Sequence, residues 1–154
     1  MALPPITIVI EDGTGVAGAN SFITAAQLDA YANAYFGHAA HDGTATKEAA
    51  LRRTFVYLKS LTWKAEYPFP TLGGEIPEDV KLAQAVLAYW EALTPNILQP
   101  NVTPGQQKVL NRVGEIGWEV TGQTGVDAQR AVVTMAQDLM KPYLAAAGTF
   151  LLRA

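Results

Sequence analysis

Three groups of residues in this chain have types and spacings that could do chemistry. Gly13-Thr14-Gly15-Val16-Ala17-Gly18 has the form G-x-G-x-x-G and directly follows the β-branched run Ile6-Thr7-Ile8-Val9-Ile10. In a dinucleotide-binding turn, such glycines let backbone N–H groups approach a pyrophosphate at the start of a helix. His38 and His41 stand three apart, a spacing that offers two imidazoles to one metal ion if the segment is helical. Lys47, Arg52, Arg53, Lys59 and Lys64 outnumber Glu48 and Glu66 in one short stretch, which could face phosphates. Trp63, Tyr67, Phe69 and Trp118 could stack against bases beside them.

Each group also has a purely structural reading. A nucleotide turn needs its third glycine to open a helix within alternating strands and helices. Here Asn20 and Ser21 intervene, and the next helix cap comes only at Thr24. Gly37 and Gly43 bracket the histidines as a loop, with Asp42 alone adjacent and no cysteine in the chain. So short a basic cluster reads more readily as a solvated helix face. No nucleophile has a recognisable base and orienting partner, and Glu78 with Asp79 is explained by a helix start. The expectation is a non-enzymatic protein without catalytic residues, cofactor or metal site.

The elements that must position these residues follow from periodicity and breakers. Residues 1–23 read as an extended N-terminal arm, apolar at Ile6, Ile8 and Ile10, then glycine-rich. A first helix is expected from Thr24, capped reciprocally with Gln27, with Leu28, Tyr31, Ala32, Tyr35 and Phe36 on one stripe and Gly37 as its stop. A second should run from Thr46 to about Leu61, with Ala50, Leu51, Thr54, Phe55 and Leu58 inward and Arg52, Arg53 and Lys59 outward. Trp63 to Pro77 is a loop pinned by its aromatics. Pro77, Glu78 and Asp79 open a third helix with a stripe of Val80, Ala83, Val86, Leu87, Trp90 and Leu93. Prolines make 95–106 a connector, 108–121 reads as a β-hairpin, and a last helix from about Asp127 to Lys141 buries Ala131, Val132, Met135 and Leu139. Pro142 ends it, leaving an apolar tail over 142–154. The expected fold is mainly α: a single domain, 1–154, whose core at 24–141 is a small bundle of about four helices with a β-hairpin and extended N- and C-terminal arms.

Composition agrees with a protein that meets other chains. Charged residues make up 16% of the 154, against roughly 25% for an average soluble domain. The net charge is −3, and residues 1–43 contain no lysine or arginine. No apolar run is long enough to span a membrane and the N-terminus lacks a basic signal start, so a soluble protein made in the cytoplasm is expected.

The order Glu11-Asp12-Gly13, Ala19-Asn20-Ser21-Phe22, then a helix with Asp29, Ala30 and Tyr31, resembles the start of tailed-bacteriophage head-to-tail connector (adaptor) proteins. Glu48-Ala49-Ala50-Leu51 with Arg53, Trp63, Pro70 before a glycine turn, Ile76-Pro77 before Ala83, Gln84 and Ala88, and a hairpin through Val113, Gly114 and Trp118 continue the likeness. Phe69-Pro70-Thr71 stands where that family often has Trp-Pro-Arg, and the usual glycine and arginine are absent around Lys64. The resemblance implies a ring-forming subunit, usually dodecameric, in the virion neck, with portal protein, tail or neck proteins and further copies of itself as partners. Double-stranded DNA would pass through its channel without specific binding. Tyr143, Leu144, Phe150, Leu151 and Leu152 are the candidate portal-docking residues. Ile6, Ile8, Ile10, Trp63, Tyr67, Phe69 and Trp118 are the candidate inter-subunit or tail contacts. Similar sequences also carry a DnaT-like single-stranded-DNA-binding label, which is the alternative function.

Overall fold

The computed structural model describes residues 6–40, 43–101 and 133–145, with the backbone of 112–113 and 116–117. The protein is mainly α, with four helices packed together among the described residues: α1 (Ala25–Phe36), α2 (Thr44–Ser60), α3 (Glu78–Leu93) and α4 (Thr134–Met140). None of the helices among the described residues is long and apolar enough to cross a membrane.

Local chemistry sets the start and end of α1. The Thr24 hydroxyl accepts from the Gln27 N–H while the Gln27 carboxamide accepts from the Thr24 N–H, and Gly37 closes the helix in the left-handed region at φ 81°. Leu28 and Ala32 are its buried residues; Tyr35 lies exposed. The inward face of α2 is Ala50, Leu51, Thr54, Phe55 and Leu58, as its spacing predicts.

α3 is the centre of the bundle and contacts each of the other three helices. Its expected single stripe is too narrow. Leu82, Ala85, Ala88, Tyr89, Glu91 and Ala92 are buried as well, whereas Trp90 and Leu93 are each 41% exposed. A helix with neighbours on several sides buries most of its circumference.

The segment expected to be an N-terminal arm folds back on the bundle. Val9 and Asn20 exchange hydrogen bonds, the Asn20 carboxamide reaches the Thr7 carbonyl, and Ile10 bridges Ser21 in parallel. Phe22 then enters the core, edge-on to Phe55 and Phe69 at ring separations of 5.1 and 5.7 Å.

The last helix is shorter than expected within the described residues, and its buried residues are Ala136 and Met140 rather than Met135 and Leu139. Residues 127–132 lie outside the described residues. A β-hairpin over 108–121 is not supported: Arg112–Val113 and Ile116–Gly117 pair antiparallel, and the rest of that range lies outside the described residues.

Candidate functional site

The glycine loop holds an anion, and the anion is the protein's own. Glu11 is 1% exposed. Its Oε1 accepts from the N–H groups of Gly13 and Gly15 at 2.9 Å each, and Oε2 from Val16 at 3.0 Å. Positive φ at Gly13 (101°) and Gly15 (83°) turns these donors inward. A nucleotide phosphate would have to displace a tethered carboxylate of like charge, so the nucleotide reading of this loop has no physical support. Gly13 is fixed for a second reason: a Cβ there would lie 2.4 Å from the Gly74 carbonyl oxygen.

Behind this loop, Gln84 of α3 is fully buried and joins three segments. Its Oε1 accepts from the Phe22 N–H at 2.8 Å, and its Nε2 donates toward Ser21 Oγ, the Leu51 carbonyl and Thr54 Oγ1. The motif Asn20-Ser21-Phe22 thus serves the fold. So does Glu11, whose sequence signal is its place just before the glycine run, in Glu11-Asp12-Gly13.

The basic stretch is largely neutralised from within. Lys47 meets Asp29 at 2.7 Å, Arg52 meets Glu48 at 3.8 Å, and Arg53, expected on an outer face, meets the buried Glu91 at 2.8 Å. Glu91 also accepts from the Asn96 and Leu98 N–H groups, so it ties the connector after α3 to α2. Lys81 pairs with Glu78.

Lys59, Lys64 and Lys141 have no carboxylate partner among the described residues. They gather at one end of the bundle. Lys64 and Lys141 line a groove of about 580 Å³ with Tyr57, Leu61, Asp138 and Leu144, whereas Lys59, in the last turn of α2, is not among its lining residues. This end is rigidly built, because Lys64 N–H donates to the Tyr143 carbonyl and Ala145 N–H to the Thr62 carbonyl, flanking a bridge between Trp63 and Leu144. Tyr143 and Leu144, expected in a docking arm, are therefore held by their own subunit. Tyr143 packs edge-on against Tyr67 at 5.0 Å, and its hydroxyl reaches Asp79. Burial, then the nearby Asp79 charge, raises the Tyr143 phenol.

The other aromatic candidates are also used internally. Trp63 donates its indole N–H to the Leu58 carbonyl, and Phe69 packs with Phe22, Phe55 and Trp63. Ile8 and Ile10 are half-buried, while Ile6 is 73% exposed. Trp118 and the tail residues Phe150, Leu151 and Leu152 lie outside the described residues. So does His41, and His38 shares a 3.0 Å hydrogen bond with the Tyr89 hydroxyl.

A second groove, of about 390 Å³, is apolar. Phe36, Val86, Trp90, Ile97, Val133 and Met135 line it.

A family model described as "Putative DnaT-like ssDNA binding protein" matches residues 6–70, less than half of the chain. The search of curated proteins and the search of solved structures give no match.

Proposed function

We propose that the chain is a non-enzymatic binding module for single-stranded DNA. The observation that carries this reading is the family match over residues 6–70, the span of the Glu11 loop, α1 and α2. Anisotropy of a fluorescent thymidine oligonucleotide of about twelve nucleotides tests it. Saturable binding tighter than about 10 μM at physiological salt, weakening as salt rises, is expected. Affinity no better than roughly 100 μM, the range of weak non-specific contact, refutes it.

A second reading rests on a different observation, the exposed Trp90 at the apolar groove. Exposed tryptophan beside a groove suits a protein partner, and the internal pairing of Lys47, Arg52 and Arg53 leaves the α2 face little grip on phosphates. With the motif order described above, this supports a structural head-to-tail adaptor in a phage neck. It would form a ring below the portal. Cryo-electron microscopy of the virion neck tests it: a ring of this chain between portal and tail is expected, and its absence from virions refutes the reading.

A further inference from the structure

We infer that the groove between the end of α2 and α4 is the path of a single-stranded phosphodiester, with Lys64 and Lys141 meeting its phosphates. The inference rests on the single-stranded-DNA reading and gives that reading a location different from the one the sequence suggests.

The basic stretch of the sequence centres on α2, but folding redistributes its charge. Lys47, Arg52 and Arg53 are each engaged by a carboxylate of the same chain, so displacing those partners would oppose any phosphate contact. Of the cations left over among the described residues, Lys64 and Lys141 line one groove. Helix polarity accounts for part of this, since Lys141 caps the negative end of α4. It does not account for Lys64, which lies beyond α2 on backbone fixed by Tyr143. Leu61, Met140 and Leu144 supply an apolar floor beside the Tyr57 ring. A cationic rim over an apolar and aromatic floor is the arrangement that takes phosphates at its edge and bases at its base. Asp138 is the one carboxylate among the described lining residues, and it leaves the rim net positive.

Two variants of equal charge change test the location on the full chain, with the thymidine oligonucleotide as probe. Lys64→Gln with Lys141→Gln should weaken binding about tenfold and flatten the salt dependence by about 1.4 log units per log unit, roughly 0.7 for each lost phosphate contact. Lys47→Gln with Arg52→Gln should change affinity less than about twofold, because those charges are already neutralised. Equal weakening by both pairs, or none by the groove pair while the wild type binds, overturns the location and leaves the function standing. A wild type that does not bind overturns both. Photo-crosslinking of a 4-thiothymidine oligonucleotide to the unaltered protein removes any dependence on how the variants fold. Adducts on peptides containing Tyr57, Lys64 or Lys141 are expected, and adducts confined elsewhere overturn the location.

Discussion

Glu11 carries a charge into a place that water does not reach, and three backbone N–H groups stand in for the water. Glu11→Ala removes the acceptor and strands those donors at a cost of roughly 1 to 3 kcal/mol for each one left unsatisfied. With rehydration of the exposed Gly15 and the half-exposed Val16, a net loss of about 2 kcal/mol is expected in urea unfolding. Glu11→Gln keeps one oxygen and should lose less. An alanine variant as stable as the wild type would show that the loop finds other acceptors. Tyr31 gives a prediction in pH. Burial first, and its hydrogen bond to Glu78 second, push its phenol from 10.0 up to about 12. The fold therefore favours the neutral phenol. Its contribution is complete below pH 10 and disappears as pH rises through about 12. Glu78 is held below the usual carboxylate range, first by Tyr31 and then by Lys81, so its share is present above that range and lost as pH falls. Tyr31→Phe should remove one late-titrating tyrosine from an alkaline absorbance titration and raise the Glu78 titration seen by NMR. An unchanged count of late tyrosines would contradict the pairing.

Among the elements, α3 decides most. Gln84→Leu fills similar space but leaves the Phe22 N–H without its acceptor, and a loss of about 2 kcal/mol in chemical unfolding is expected. A neutral result would mean that Ser21 or water takes over. What was legible in the sequence divides by range. The α1 cap was readable because Thr24 and Gln27 are three residues apart, and the α2 face because its neighbours all lie on one side. The all-round burial of α3 was not, since a periodic stripe registers one neighbour and α3 has three. Arg53 reads as solvated because its partner Glu91 comes from another helix, and the burial of Glu11 is not legible because its donors turn inward only when the glycines adopt positive φ. The lysine groove was hidden for the same reason: which cations stay unpaired is a property of the folded chain.

At the scale of the molecule, two unlike surfaces separate the two functional readings. Trp90→Ala alters the apolar groove at a residue 41% exposed, so the chain should stay folded, losing about 1 to 2 kcal/mol with its edge contacts to Phe36 and Tyr89, and should keep its oligonucleotide affinity. If the chain is a ring subunit, the same variant should fail to assemble in a sedimentation assay of purified portal with this protein. Loss of DNA binding with assembly intact would invert these assignments. The family match has a consequence of its own for how the chain comes to be folded. Residues 6–70 stop before α3 begins, yet Phe22 bonds to Gln84, Tyr31 to Glu78 and Arg53 to Glu91, all on α3. The matched span is therefore not a self-standing unit. During synthesis α1 and α2 must wait, as marginal separate helices, until α3 has left the ribosome and closes loops of 62, 47 and 38 residues onto them.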